Sequence, residues 1–222
     1  MGVTKTDLVY TALREMILSG DLPPGAAISK GELAEKLNAS RQPISGAVDR
    51  LAFEGLVEIV PQHGSFVSQL DATAIADWFM IRTALEAECA ARFAEANERP
   101  TEALERNLRY QRVAADAGDV TGFYELDVEF HRIITEFSAS EMAQSMLRQA
   151  QANLDRARRA LLPNPGQPAR TLAAHEGIFE AISSSKGAKS AKLMRSHLTE
   201  VADLLQAFAQ VNTDPSGKRA LG

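Results

Sequence analysis

One aspartate and three histidines have the residue types and the spacing of a divalent metal site. Asp127 and His131 lie four residues apart in a stretch with helical periodicity, so both side chains point from one helix face toward the same spot. His175 and His197 are equally distant from Lys186, at the centre of a turn between two further helices. In an antiparallel helical hairpin, residues equidistant from the turn lie side by side. The spacing therefore predicts that the two imidazoles meet at one level.

A carboxylate and three imidazoles that converge inside a helical bundle form a suitable ligand set for a divalent metal ion. Such a set suits zinc first, with nickel, manganese or iron as alternatives, and it leaves coordination positions for water or a ligand. Any one inward histidine is more commonly a hydrogen-bonded core residue. Because all three fall on apolar stripes and an aspartate shares their spacing, we predict a metal site.

The arginines near these stretches have simpler interpretations. Arg82 lies four residues before Glu86, which is the spacing of an ion pair on a helix surface. The charged run that contains Arg156, Arg158 and Arg159 is typical of a solvated helix face. We expect neither group to belong to the metal site on this evidence.

The region that carries the predicted metal ligands has only helical periodicity. Turn residues divide it into six helices, and no strand pattern occurs. We expect residues 71–211 to form an all-α six-helix bundle and residues 212–222 to be a flexible tail. The fold class is therefore mainly α, with a smaller N-terminal domain of different character at residues 1–70.

The N-terminal 70 residues have the pattern of a winged helix-turn-helix. A first helix at residues 4–19 precedes two short helices, the second of which starts after Ser40, a good N-cap, and ends at Gly55. Two short apolar runs then flank a turn at Pro61–Gly64, which predicts a two-stranded hairpin, or wing. Side chains at the start of the second short helix are placed to read the major groove of DNA. The candidate DNA contacts on this surface are Lys30, Ser40, Arg41, Gln42 and Ser45.

Composition and charge limit the class of protein. The chain has 222 residues, 45% hydrophobic and 24% charged, which is typical of a globular protein with a real core. The single cysteine, Cys89, excludes an internal disulfide, and no apolar run approaches the ~20 residues needed to cross a bilayer. Without a secretory signal pattern, we expect a cytoplasmic protein with no membrane partner. Residues 1–70 hold six Lys or Arg against eight Asp or Glu, a net charge of −2, so DNA binding must depend on a few well-placed cations.

The segment from Leu13 to Val67 resembles the winged helix-turn-helix of the GntR family of bacterial transcription regulators. The motifs LREMILSGDLPPGAAIS, ELAEKL, SRQP, LAFEGLVEIV and HGSFV occur in the expected order. The resemblance implies DNA contacts at the start of the second short helix, and a wing tip, His63 and Gly64, that enters the minor groove. Gly31 and Ser45 occupy positions that are commonly arginine in the family. We therefore expect an operator sequence that differs from the family's usual one, because two candidate guanine contacts are missing.

Residues 72 to 210 resemble the FCD effector domain of the FadR subfamily within this family. The spacing of the four predicted metal ligands carries this resemblance, and six helices instead of seven are typical of its VanR-like branch. The resemblance implies that the bundle binds a small organic acid through the metal. It also implies a second interpretation of Arg82, which matches an arginine that the family often places in its acid-binding cavity.

These patterns together predict a homodimeric regulator that binds a palindromic DNA operator, acts as a repressor, responds to a metal-anchored carboxylic acid and has no catalytic residues. Three alternatives remain open. The metal ion itself is the signal, or the metal is purely structural, or the bundle is a metalloenzyme with a DNA-binding module. The sequence offers no clear general base for the enzyme, although Glu129 and Glu176 are neighbours of the ligands.

Overall fold

The structure is a computed structural model that describes residues 2–70, 72–161 and 167–212. This part of the chain contains nine helices and two strands. The N-terminal elements are α1 (Lys5–Ser19), α2 (Lys30–Lys36), α3 (Arg41–Phe53), β1 (Val57–Val60) and β2 (Gly64–Val67). The remaining helices are α4 (Ala72–Glu95), α5 (Thr101–Ala117), α6 (Val120–Ser138), α7 (Glu141–Leu161), α8 (Gln167–Ser183) and α9 (Gly187–Asn212).

Residues 2–67 form a winged helix-turn-helix, as predicted. α1 begins at a capping box in which the Asp7 amide donates to Thr4 Oγ1 and the Thr4 amide donates to the Asp7 carboxylate. Asn38, with φ 45°, provides the tight turn between α2 and α3. β1 and β2 pair antiparallel with Val60 opposite Gly64, so three residues form the wing tip. Apolar residues of α1, α3 and β1 form the core beneath.

Ser40 differs in one respect from its predicted role. It occupies the N-cap position of α3, but its side chain makes no capping hydrogen bond. The exposed hydroxyl therefore does not satisfy the first amides of this helix, which normally need a partner. The hydroxyl can therefore bond to another group, and these amides can donate to another acceptor.

Five of the six helices α4 to α9 share one apolar core, and α7 packs with α4 and α9 in a second one, which confirms the mainly α fold class. Phe93, Leu104, Phe130, Ile178 and Leu198 are among the buried residues of the first core, one from each of the five helices. α4 lies in the middle, where it contacts α6, α7, α8 and α9. α9 continues through Asn212, one residue past the predicted domain end. The rest of the predicted tail, residues 213–222, lies outside the described residues. No described helix is long and apolar enough to cross a membrane.

α7 joins the helical region to the winged helix through polar contacts. Asn153 Nδ2 donates to the carbonyl oxygen of Glu54, the C-cap of α3, over 2.9 Å. Arg156 Nη2 donates to the carbonyl oxygen of Ser68, which follows β2, over 2.6 Å. The prediction that Arg156 lies on a solvated face is therefore wrong. Arg156 is only 6% exposed, because α7 packs against the winged-helix head, residues 2–67, rather than facing water.

Candidate metal centre and DNA-reading surface

Four side chains converge inside the helical region. Asp127 and His131 project from one face of α6, His175 comes from α8 and His197 from α9. None of them exposes more than 4% of its surface, and one donor atom of each lies within 4.8 Å of those of the other three. The structure thus brings together the four residues whose spacing predicts a metal site.

The donor atoms of this cluster face one another. His197 Nε2 lies 3.2 Å from His175 Nε2 and 3.3 Å from His131 Nε2. Asp127 Oδ1 lies 3.6 Å from His175 Nε2, and this buried oxygen has no hydrogen-bond partner in the described part of the chain. Buried carboxylate oxygens normally have a partner, because an unsatisfied one costs free energy. A divalent cation among the three nitrogens and this oxygen would satisfy it, so the donor set fits a metal ion.

Gln111 on α5 fixes the tautomer of His175. Gln111 Nε2 donates to Asn107 Oδ1 over 2.7 Å and to the Leu126 carbonyl, so its Oε1 must face the histidine. His175 Nδ1 lies 2.9 Å from that oxygen and therefore carries the proton. The lone pair of the ring is then on Nε2, which faces the cluster. Metal-binding histidines are commonly oriented in this way by a second hydrogen bond.

Glu86 on α4 fixes the tautomer of His131 in the same way. Glu86 Oε2 accepts from His131 Nδ1 over 2.5 Å, and Arg82 Nε donates to Glu86 Oε1 over 2.5 Å. Burial would raise the pKa of Glu86, but the charge of Arg82 and the hydrogen bond from His131 outweigh it and lower that pKa to about 2. The carboxylate is therefore charged, and Nε2 of His131 is left to face the cluster.

Arg82 is not the surface residue that the i,i+4 spacing predicts. The ion pair with Glu86 exists, but both side chains are buried, with Arg82 only 1% exposed. Its Nη2 has no hydrogen-bond partner among the described residues. An arginine donor that is buried and unsatisfied favours the other interpretation, a place beside the ligand site.

Arg158 was predicted to be solvated, and the structure places it against the metal cluster instead. Its Nη1 donates to Asp127 Oδ2 over 2.6 Å, and its side chain is only 11% exposed. Burial alone would raise the pKa of Asp127, but the charge and the hydrogen bond of Arg158 outweigh it and hold that pKa far below its usual range. Asp127 is therefore held as a carboxylate, with Oδ2 on the arginine and Oδ1 directed at the histidines. The side chain of Arg159 lies outside the described residues.

Burial keeps two of the histidines neutral. It lowers the pKa of His175 to about 3, despite the opposing charge of Asp127, and it lowers the pKa of His197 well below its ordinary value. Neutral imidazole is the form that binds metal, because the ligand nitrogen must be unprotonated. Phe130 stacks on the His175 ring at 4.1 Å between centroids and helps to hold its orientation.

A cavity reaches the cluster from the side of Asp127 and Arg158. It has about 530 Å³ of empty volume, counting the part that is open to solvent, and it lies between residues of α6, α7, α8 and α9. This opening gives a small molecule a route to the carboxylate and the guanidinium, whereas the histidines lie deeper.

Neither glutamate that an enzyme would use as a general base is available at the cluster. Glu129 is half-buried and pairs with Arg132, on the same helix, over 2.5 Å. Glu176 pairs with Arg112. Both carboxylates therefore form ion pairs at the protein surface instead of facing the cluster.

The candidate DNA contacts lie on one side of the winged helix. Ser40, Arg41 and Gln42 are exposed at the start of α3, and Ser45 follows one turn later. Lys30 Nζ lies 3.4 Å from Ser45 Oγ, so the first residue of α2 reaches the same surface. This contact brings a cation beside Ser45.

The wing tip presents the other two candidates. His63 is exposed, and its Nδ1 lies 3.0 Å from the Pro61 carbonyl. Gly64 has φ 114° and begins β2. A side chain would be strained in this backbone conformation, so glycine allows the sharp return of the hairpin.

Sequence reasoning missed Arg158, Glu86, Gln111 and Asn107. A signal existed for the last two, because they occupy inward positions of α5 beside Leu104 and Leu108, where a purely structural helix would carry apolar residues. No comparable signal marked Arg158, since a run of arginines is usually solvated.

A winged helix-turn-helix followed by a helical bundle with an enclosed histidine and aspartate cluster is the architecture of a DNA-binding transcription regulator. Comparison with known proteins gives the same class. Residues 5–67 match the bacterial regulatory proteins of the gntR family, and residues 77–200 match the FCD domain. The chain belongs to the GntR family of transcription regulators with an FCD domain.

Individual relatives agree with this assignment. The chain is 31% identical over 207 residues to the HTH-type transcriptional repressor RspR of Escherichia coli K12, covering 93% of this chain and 91% of the relative. It is 36% identical over 203 residues to an HTH-type transcriptional regulator of Streptomyces ambofaciens, covering 91% of this chain and 85% of that protein. These relatives are regulators, so the metalloenzyme alternative does not apply.

Solved structures share the fold. E. coli McbR/YncC superposes with a TM-score of 0.74 at 20% identity, covering 95% of this chain and all of that one. A GntR regulator from Rhodococcus sp. RHA1 gives a TM-score of 0.72, also at 20% identity, over 91% of this chain and 97% of the other. At this identity the likeness supports the architecture only.

Proposed function

We propose that this regulator is a repressor that binds a palindromic operator as a homodimer, and that a small carboxylic acid anchored by a divalent metal ion changes its affinity for DNA. Residues 1–70 would read the operator, and residues 71–211 would bind the metal and the acid. The name of the E. coli relative, a repressor, supports the sign of the regulation.

The buried Asp/His cluster carries the proposal. Asp127, His131, His175 and His197 would hold the ion, with zinc as the first choice and nickel, manganese or iron as alternatives. Their tautomers and charges already suit a cation, and the unsatisfied Asp127 Oδ1 lacks only that partner. The ion would supply a positive centre with open positions for an acid's carboxylate.

The exposed start of α3 and the wing would contact DNA. Arg41 and Gln42 reach base edges in this interpretation, Ser40 and Lys30 hold phosphates, and His63 enters the minor groove. A two-fold homodimer then needs two half-sites, which explains a palindrome. Selection of DNA from a random pool by the full-length protein should return inverted repeats. Arg41→Ala should weaken specific binding by about 1 to 3 kcal/mol, whereas Arg92→Ala, on the exposed surface of α4, should not.

α7 is the proposed connection between the two sites. Arg158 near its C-terminal end holds Asp127, and Asn153 and Arg156 hold the ends of α3 and β2. A ligand that binds one position of Arg158 better than another would bias the position of the head. Coupling of this kind requires no contact between the acid and the DNA-reading residues.

Thermal unfolding and operator binding, each with and without a chelator, test the function. An acid that stabilises the metal-loaded protein, loses that effect on chelation and changes operator affinity would support it. If operator affinity follows metal occupancy and no acid matters, the protein is a metal sensor. If chelation only unfolds the bundle, the metal is structural and the proposed effector role is wrong.

A further inference from the structure

The cavity beside the metal cluster has two chemically different ends. Its charged residues, Asp127 and Arg158, are bonded to each other and so lie at one end. Apolar side chains make up most of the remaining described lining. They are Val120, Phe123, Pro168, Val201 and Leu205.

Arg158 marks the end at which a carboxylate would bind. Among the described residues its hydrogen-bond partner is Asp127, which uses one of the five guanidinium N–H donors. The guanidinium carbon also lies 5.1 Å from the centre of the Tyr124 ring, so the cation is held between a carboxylate and an aromatic face. The other guanidinium donors are therefore available to the carboxylate of a bound acid.

The opposite end offers little to a charged or strongly hydrated group. No charged side chain other than Asp127 and Arg158 is among the described lining residues. Away from Arg158 and its neighbour Tyr124, whose hydroxyl already bonds Asp155, the described hydrogen-bonding side chains of the lining are Gln167 and Thr171. A second carboxylate or several hydroxyl groups would therefore lose water without gaining partners.

From this division we infer that the effector is a singly charged carboxylic acid with a mainly apolar body. Its carboxylate binds at the end formed by the metal and Arg158, and its body packs on the apolar lining. Arg158 is then a specificity residue that fixes where the charge must lie. This inference rests on the proposed function, because it names the class of acid that the metal-anchored site takes.

The test uses the full-length protein loaded with zinc and a panel of five acids. Benzoate and hexanoate represent the proposed class, succinate and tricarballylate add carboxylates, and D-gluconate adds hydroxyl groups. Dissociation constants come from calorimetric titration, and zinc content is measured after each titration, because a chelating acid could remove the ion. We expect benzoate or hexanoate to bind at least about tenfold more tightly than the other three, since an unpaired buried polar group carries a penalty of this order.

A substitution that adds a second cation sharpens the test. Val120 is half-buried at the cavity, so Val120→Lys brings an ammonium group to the apolar end without emptying the core. We expect this variant to bind succinate at least about tenfold more tightly than the natural protein does. Val113→Lys, the same substitution at an exposed valine outside the cavity lining, should leave the preference unchanged.

The outcomes separate the inference from the function on which it rests. If succinate, tricarballylate or gluconate binds as tightly as the apolar acids and needs the metal, the inferred class is wrong while the metal-anchored effector stands. If none of these acids binds, both the class and the proposed effector role fail. If Val113→Lys increased succinate affinity as much as Val120→Lys does, the inferred position of the acid in the cavity, with its carboxylate at Arg158, would be wrong.

Discussion

At the scale of single residues, the cluster depends on hydrogen bonds made on the far side of each imidazole. Gln111 and Glu86 accept hydrogen bonds from Nδ1–H of His175 and His131, which leaves each Nε2 unprotonated toward the centre. Neither residue is itself one of the four proposed metal ligands. Both nevertheless determine whether the histidines present a lone pair, and this is what a metal ion requires.

Removal of the Gln111 side chain should weaken metal binding without removing a ligand. In Gln111→Ala, His175 loses the acceptor that fixes its tautomer, and we expect affinity for zinc to fall about tenfold to hundredfold. Competition with a chromophoric chelator measures this change. Gln69→Ala, at an exposed glutamine before α4, is the control and should bind zinc normally. A Gln111→Ala affinity within twofold of the natural protein would contradict this role.

The buried histidines should make the metal-free protein sensitive to mild acid. The pKa of His175 is about 3 when folded, below the ~6.5 of an unfolded chain, so the unfolded state takes up the proton first. The free energy of unfolding should therefore decrease as pH falls from 7.5 to 5.5, by about 1 kcal/mol for each histidine of this kind.

Denaturant unfolding of the chelated protein at several pH values measures this slope. In His175→Asn, which removes one titrating group, the slope should become smaller, because the amide takes up no proton. A chelated protein that is equally stable at both pH values would show that the cluster does not hold its histidines neutral.

At the scale of secondary-structure elements, α7 connects two regions. Ala152 on this helix contributes to the core of the winged helix, while Leu154 and Ala157 pack in the helical region with α4 and α9. Polar contacts from Asn153 and Arg156 add directional links to the head. A shift of α7 would therefore move the carbonyl groups at the ends of α3 and β2.

Asn153→Ala should uncouple the effector from the operator. The variant loses the hydrogen bond to the Glu54 carbonyl but keeps the metal cluster and its cavity, so zinc and acid should bind as in the natural protein. The effect of the acid on operator affinity should fall several-fold, because a coupling free energy is typically 1 to 3 kcal/mol. Fluorescence anisotropy with labelled operator, with and without acid, measures this effect.

Met142→Ala on the same helix is the matched control. Met142 is 72% exposed, so its truncation alters α7 without touching the head. Full coupling in Asn153→Ala would show that α7 does not transmit through this contact.

At the scale of the whole molecule, charge is unusual for a DNA-binding protein. The chain has 24 Lys and Arg against 29 Asp and Glu, a net charge of −5, and its first 70 residues are also acidic overall. In the proposed function this difficulty is met locally, since the candidate contacts Arg41 and Lys30 bring cations to the start of α3. Binding then depends on few phosphate contacts together with direct base contacts.

Operator affinity should consequently depend only weakly on salt. We expect a plot of log K against log salt with a slope that corresponds to fewer than about ten neutralised phosphates per dimer. Glu58→Lys, at an exposed position of the wing strand β1, should steepen this slope, whereas Glu102→Lys on α5 should not. A slope for the natural protein as steep as that of a strongly basic repressor would contradict binding through few phosphate contacts.

Much of the fold followed from local sequence patterns. Helical periodicity and turn residues predicted the six helices between positions 72 and 212, and the turn at Pro61–Gly64 predicted the wing. These features depend on residues close together in the chain, so their physical causes are visible in sequence. The convergence of Asp127 and His131 with the His175–His197 pair was equally accessible, because helix spacing and hairpin symmetry place them.

Only the tertiary structure decided what surrounds those ligands. A charged residue on a helix is normally solvated, and whether Arg158 faces water or Asp127 depends on how α7 packs against α6. In the same way, the Arg82–Glu86 pair is buried and hydrogen-bonded to His131 because α4 lies at the centre of the bundle. The sequence determined the donors of the site, and the packing of distant helices determined their tautomers, their charges and their link to the DNA-reading head.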